Sequence, residues 1–265
     1  MRLPAGGYFF QGEWFDLKKD SFEVYYKKLG QRAKVLDDTT PYFTCAMGFS
    51  GFYLGIEQAC NMYIDTESVH KRNEEVFAEN KFFFDSLLEG GGKCVGCIEI
   101  NSDLGMQNAP FISPEMYAEF CLPYLKRFIE YVKEQSETKI FMHSCGSIEP
   151  LIPLIIEAGV EALNPVQISA ANMDPFELKR KYGKKITFWG GGCDTQRVLA
   201  FKTPDEVKEN VKYLMSAFKP GGGFVFNQVH NIMGDVPPEN IIAMLQTAYE
   251  NSFYTEESDI RNGQG

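Results

Sequence analysis

The segment His143-Ser144-Cys145-Gly146 carries the sharpest chemical signal in the chain. Side chains at i and i+2 of a strand leave the same face. His143 and Cys145 therefore project together, and Ser144 points the other way. An imidazole and a thiolate side by side at a strand's exit form a zinc-type donor pair. Without a metal the same pair would be a buried polar contact. Gly146 frees the backbone to turn into the next element. A second constellation, Trp189-Gly190-Gly191-Gly192-Cys193-Asp194, ends another apolar run. Its glycines allow close backbone approach, so Cys193 is a candidate third ligand. Asp194 becomes a substrate-binding or ligand-orienting group. His230 follows Phe224-Val225-Phe226 and competes with Cys193 for the third position. Three protein ligands and an open fourth position are the pattern of a catalytic zinc.

Glu99, Asn101 and Asp103 alternate on one face of their strand, an expensive arrangement unless it is used. Glu99, Asp103 and His230 are the candidate acid–base groups. Gln107, Asn164, Gln167 and Asp194 are the candidate substrate contacts. Cys94 and Cys97 have redox or zinc spacing, but i and i+3 of a strand face opposite sides, so they are read as packing residues. Gly221-Gly222-Gly223 precedes a strand instead of a helix, the wrong order for a phosphate loop.

The elements that must position these groups alternate regularly. Apolar runs at 42–48, 95–103, 139–146, 161–167, 186–194 and 223–231 are each followed by a helical pattern. Helix starts are well marked. Ser113-Pro114-Glu115 opens one helix, with Tyr117, Phe120, Tyr124, Phe128 and Val132 at helical spacing. Asp174-Pro175-Phe176-Glu177 and Thr203-Pro204-Asp205-Glu206 read as capping boxes. Val207, Val211, Leu214 and Phe218 give the helix after Thr203 one apolar face. Pro237-Pro238-Glu239 starts the last helix, with Ile241, Ile242, Leu245 and Ala248 expected inward. Strand then helix, repeated six times, gives a parallel α/β sheet. Functional-looking residues at the ends of many strands favour a (β/α)₈ TIM-barrel-like fold over an open doubly wound sheet. Residues 1–41 read as an irregular segment packing on the barrel, with one aromatic strand. Residues 42–255 form the barrel domain, and 256–265 a frayed polar tail.

The chain has 265 residues and a net charge of −10, which argues against a nucleic-acid surface and against anionic lipid. No stretch reaches the ~20 apolar residues of a membrane span. Seven cysteines, an odd number at irregular spacing, read as reduced thiols of a cytoplasmic protein.

Taken together, SDLGMQNAPFISPEMYAEFCLPYLK, HSCGSIEPLIPLIIEAGVEALNPVQ, TFWGGGCDTQRVL and GGGFVFNQVHNIMGDVPPENIIAM resemble the uroporphyrinogen decarboxylase superfamily, in its corrinoid-associated methyltransferase branch. The resemblance covers about residues 95–250 in the expected order. It implies a (β/α)₈ barrel and a zinc enzyme. Such an enzyme moves a methyl group between a small methylated substrate or carrier and a corrinoid protein bearing methylcobalamin. The zinc there activates an acceptor thiol, or polarises the leaving oxygen of an ether. The coenzyme M branch places its last ligand, a cysteine, where this chain has His230. The segment before Tyr42 is shorter than in the family, so the first barrel strands are expected to be largely missing and edge strands open. A uroporphyrinogen decarboxylase is the alternative enzyme; its arginine-rich N-terminal motif is absent, and only Arg197 lies near an expected active-site loop. A truncated, non-catalytic barrel is the third reading. The chain carries no DxHxxG corrinoid-ligand motif, so any corrinoid would come from a partner.

Overall fold

A computed structural model describes residues 7–10, 13–16 and 22–254. Gly7–Phe10 (β1) and Glu13–Asp16 (β2) form an antiparallel pair. The principal sheet contains Cys45–Ser50 (β3), Cys97–Asn101 (β4), Lys139–His143 (β5), Ala162–Asn164 (β6), Thr187–Trp189 (β7) and Phe224–Val225 (β8). These six strands are all parallel and lie in the order β3-β4-β5-β6-β7-β8. A doubly wound sheet reverses its strand order at a switch point. No reversal occurs here, so the sheet is the arc of a (β/α) barrel lacking some of its strands. Each expected strand is present; the first is shifted from 42–48 to Cys45–Ser50, the others are shorter than expected, and the last keeps only Phe224–Val225 of 223–231. Among the described residues, β3 and β8 each have a single strand neighbour.

The helices are Phe22–Thr39 (α1), Ile56–Ile64 (α2), Thr66–Glu89 (α3), Pro114–Phe120 (α4), Leu122–Gln135 (α5), Ile152–Glu157 (α6), Pro175–Tyr182 (α7), Pro204–Phe218 (α8) and Pro238–Glu250 (α9). Thr203 and Glu206 complete a reciprocal capping box. Asp174 accepts from the Glu177 amide at 2.9 Å, but Glu177 pairs forward with Arg180, so that cap is one-sided. The expected helix after Ser113 is two helices, breaking at Cys121 just before Pro123.

Two further readings are corrected. Where composition suggests an irregular segment before residue 42, an eighteen-residue helix, α1, packs on α3. Tyr26 stacks on Phe83 at 4.7 Å, and its hydroxyl donates to the Gly48 carbonyl at 2.9 Å, pinning α1 to β3. The last helix is rotated from its expected face. Ile242 and Leu245 are exposed, while Asn240, Ala243, Met244, Thr247 and Ala248 are buried. Asn240 sets that rotation, since its side-chain amide donates to the Leu199 and Lys202 carbonyls, both at 2.8 Å. The expected tail at 256–265 lies outside the described residues.

Ile98, Ile100, Ile140, Met142, Leu163 and Phe188 face outward from the strands into one apolar layer with Phe84, Leu125, Phe128 and Phe218. This layer fixes the strand register, because a one-residue slip would turn every core side chain to the wrong face. A smaller layer under α8 and α9 contains Cys193, Leu199, Val207, Val211 and Met244.

Candidate metal and active site

Alternation along β4 and β5 does place the expected groups together. Register pairs Glu99 with Phe141 and Asn101 with His143. Two residues further on, Asp103 meets Cys145. The ligand atoms of Asp103, His143 and Cys145 all lie within 4.8 Å of one another, the one such group among the described residues. Cys145 Sγ is 3.5 Å from His143 Nε2, and Asp103 Oδ1 is 3.8 Å from the same nitrogen. Asp103 Oδ1 also accepts from the Cys145 amide at 3.0 Å, tying the two loops together. Ser144 points away, as alternation requires, and its hydroxyl oxygen accepts from the Leu104 amide at 3.0 Å.

The tautomer of His143 follows from its neighbours. Asn164 donates its side-chain NH₂ to the Trp189 carbonyl at 2.8 Å. A carbonyl can only accept, so the Asn164 amide orientation is determined. Asn164 Oδ1 then faces His143 Nδ1 at 2.6 Å and makes that nitrogen the donor. Nε2 is left with its lone pair toward Cys145 and Asp103. This is how a metal-binding imidazole is oriented by an outer partner.

Gly146 holds the turn behind Cys145 with φ of +86°, and a Cβ there would sit 2.3 Å from the Gly105 backbone. The Gly146 amide donates to Gln167 Oε1 at 2.8 Å, Gln167 donates to Gln107 at 3.1 Å, and Gln107 donates to the Ser169 carbonyl at 2.6 Å. Gln107 and Gln167, expected as substrate contacts, thus spend their amides on loop geometry, and Asn164, expected likewise, spends its amide on His143 and the Trp189 carbonyl. Asp194 is also engaged, accepting from the Gln196 and Arg197 amides at 2.9 and 3.0 Å as the cap of a π turn.

Cys193 is not brought to the cluster. Its side chain is wholly buried in the apolar layer under α8 and α9, where burial and then Asp194 push its thiol up to about 12. The glycine turn before it aims the thiol outward from the sheet, the opposite of what a ligand needs. His230 is exposed in the loop after β8 and belongs to no such ligand group among the described residues. The third member of the cluster is instead Asp103, which the sequence marks as a catalytic or substrate residue. Parallel register of N-x-D with H-x-C was the available signal.

Burial and the neighbouring Asp103 carboxylate raise the Cys145 thiol to about 12. Glu99 is buried on the inner face, where desolvation raises its carboxyl above the ordinary range. Cys97 lies against Cys45 across β3 and β4, and Cys94 ends a 3₁₀ turn before β4, so the two do not share a strand as expected.

The donor set fits a metal of the zinc type: one imidazole nitrogen already oriented, one sulfur and one carboxylate oxygen, with a side open to ligand. Next to it, a cavity of about 460 Å³ is bounded by Tyr53, Leu54, Ile56, Asn101, Asp103 and Phe111.

Comparison with known proteins agrees with this architecture. A methyltransferase from Methanosarcina mazei superposes with a TM-score of 0.66 over 88% of this chain and 66% of its own, at 15% identity, a likeness of fold. The uroporphyrinogen decarboxylase of Aliarcobacter butzleri (strain RM4018) is 27% identical over 195 residues, 70% of this chain and 49% of that protein. That of Pseudoalteromonas translucida (strain TAC 125) is 28% identical over 149 residues, 53% of this chain and 38% of that protein. The chain spans about half, or less, of the curated relatives it matches. Residues 50–251 match the uroporphyrinogen decarboxylase (URO-D) family, and the chain belongs to it.

Proposed function

We propose that this chain is a zinc-dependent methyltransferase, moving a methyl group between a small methylated substrate or carrier and a separate corrinoid protein that carries methylcobalamin. One observation carries the reading: Asp103, His143 and Cys145 converge at the C-terminal ends of two parallel strands. In barrel enzymes that is the catalytic end. Decarboxylation of a tetrapyrrole calls for no such donor set.

Bound zinc would lower the pKa of an acceptor thiol and supply a nucleophile at neutral pH. The protein's own contribution is positional. Asn164 orients His143, Asp103 holds the Cys145 backbone, and the Gln167–Gln107 pair fixes the loops around the open side. The methyl group leaves its donor as a cation equivalent. The donor bond breaks with its electron pair retained by the leaving atom, and the acceptor supplies the pair of the new bond. Glu99, protonated more readily than an exposed glutamate, is placed to give or take a proton in the lumen.

The curated relatives' names make uroporphyrinogen decarboxylation the second reading. It requires cationic groups for many carboxylates. Arg197, the arginine of the β7–α8 loop, is turned to the Ser169 carbonyl at 3.4 Å. The test is direct. Zinc-loaded chain is given methylcobalamin and a thiol in one assay and uroporphyrinogen in another. Loss of the methylcobalamin absorbance, abolished in Cys145→Ser, is expected. Decarboxylation that survives Cys145→Ser would overturn the proposal.

A further inference from the structure

We propose that Cys45 and Cys97 form a thiol–disulfide exchange site, where a small disulfide from solvent converts the pair into a cross-link that fastens β3 to β4. The pair lies at the opposite end of the strands from Asp103, His143 and Cys145, and the inference stands apart from the metal reading.

The geometry comes from the sheet. Cys45 opens β3, Cys97 opens β4, and the parallel register sets them directly opposite each other. Neighbouring strands lie about 4.7–4.9 Å apart, and the Cα atoms of a disulfide are usually about 4.4–6.8 Å apart. Direction agrees as well. Ala46 and Ile98, the next residue of each strand, are buried in the outer apolar layer. Alternation turns Cys45 and Cys97 together to the other face, where their thiols interact directly. The sequence draws attention instead to Cys94-x-x-Cys97. Cys94 sits in the turn before β4, and its thiol donates to the Gly91 carbonyl at 3.5 Å.

The surroundings permit both reaction and adjustment. Cys45 is exposed and Cys97 is buried, so a reagent from solvent meets Cys45 first. Contact with Cys45, and then burial, raise the Cys97 thiol, which keeps it protonated until Cys45 has reacted. Cys97 also bounds a cavity of about 600 Å³ with Phe43, Phe141 and Trp189. Strand β3 can shift to suit the bond. Among the described residues it has one strand neighbour, and its register with β4 breaks between Ala46 and Phe49.

Two exchanges balance the chemistry. The Cys45 thiolate attacks one sulfur of the small disulfide, whose S–S bond breaks with its electron pair on the departing thiolate. The Cys97 sulfur, losing its proton, then attacks Cys45, and the mixed disulfide breaks with its pair on the second departing thiolate. The two protein protons end on the two small thiols. The protein pair is oxidised and the small disulfide is reduced, and excess dithiol reverses both exchanges. The new bond closes the chain from Cys45 to Cys97 into a loop that contains α2 and α3. Such a cross-link restricts the unfolded chain.

Glutathione disulfide is the probe. The full chain is incubated with it, free thiols are alkylated, and peptides are mapped by mass spectrometry without reduction. The expected product joins the Cys45 peptide to the Cys97 peptide, and dithiothreitol separates them. Cys97→Ser should hold glutathione on Cys45. Cys45→Ser should leave Cys97 unmodified up to about tenfold more glutathione disulfide. The cross-linked chain should unfold at a higher urea concentration than the same chain after dithiothreitol, and Cys45→Ser treated alike should show no such gain. Absence of the cross-link, a lasting glutathione adduct on Cys45 of the parent chain, a Cys94–Cys97 bond, or a link between two chains through Cys45 would overturn the proposal. So would equal urea midpoints for the cross-linked and reduced chains. Mapping of the parent chain needs no substitution, so a serine variant that fails to fold leaves the test intact.

Discussion

Replacing Asn164 separates the two jobs that this residue performs. Its Oδ1 faces His143 Nδ1 at 2.6 Å and its NH₂ donates to the Trp189 carbonyl at 2.8 Å. Asn164→Leu removes both bonds at similar volume. His143 then loses the partner that directs its Nε2 lone pair at the metal, and lost outer partners typically weaken metal affinity about 10- to 100-fold. The Trp189 carbonyl loses a donor in a buried setting, a destabilisation of roughly 1–3 kcal/mol. Asn164→Asp keeps an oxygen acceptor toward His143 but cannot donate to Trp189. It should retain metal affinity within a few fold while losing comparable stability. Zinc affinity is read by competition with a chromogenic chelator, and stability by denaturant unfolding of the metal-free chains. A folded Asn164→Leu chain with unchanged zinc affinity would refute the account of His143 orientation. So would an Asn164→Asp chain that loses zinc as severely as the leucine variant.

Cys193→Ala should leave zinc stoichiometry unchanged and lower unfolding free energy by roughly 1–2 kcal/mol, the signature of a packing thiol; loss of zinc would restore Cys193 to the ligand set. Gly146→Ala combines a positive φ with a clash on the Gly105 backbone, so it should cost roughly 1–3 kcal/mol or more and weaken zinc binding by displacing Cys145. Unchanged melting temperature and affinity would contradict this. Glu161 accepts from Lys133, Lys139 and the Ile140 amide. Burial opposes its ionisation, yet these partners outweigh it and hold its carboxyl below the ordinary glutamate value. A lowered folded-state pKa contributes stability above the unfolded value and loses it as pH falls through the folded value. Acid unfolding followed below about pH 4.5 should thus be shallower in Glu161→Gln than in the parent chain, and identical slopes would count against the pairing.

The barrel arc was legible because its strands and helices obey local rules. Proline-led caps at Ser113 and Thr203 mark helix starts, and alternation at Glu99, Asn101 and Asp103 marks an inner face. His143 and Cys145 were legible for a related reason: Cys145 lies just past the end of β5 yet keeps the alternation, so its sulfur stays on the side of His143. Residues whose role depends on neighbouring elements were harder to read. Cys193 follows a strand that carries glycines, and its direction is set by backbone turns that no side-chain pattern encodes. Asn164 reads as a substrate contact until the Trp189 carbonyl beside it is known. The α9 face was misjudged because isoleucine and leucine outrank asparagine on any hydropathy scale. Asn240 is nevertheless buried by two hydrogen bonds to carbonyls that come from a distant loop. Asp103 became legible as a neighbour of His143 and Cys145 only once β4 and β5 were known to be adjacent and in register.

The central claim is that one metal is held by Asp103, His143 and Cys145, and X-ray absorption at the zinc edge of the loaded chain tests it most directly. The account predicts one zinc per chain with a single sulfur at about 2.3 Å and nitrogen and oxygen neighbours at about 2.0–2.2 Å. The sulfur contribution should vanish in Cys145→Ala and persist in Cys193→Ala. Two sulfur ligands, or a sulfur signal that survives Cys145→Ala, would contradict it.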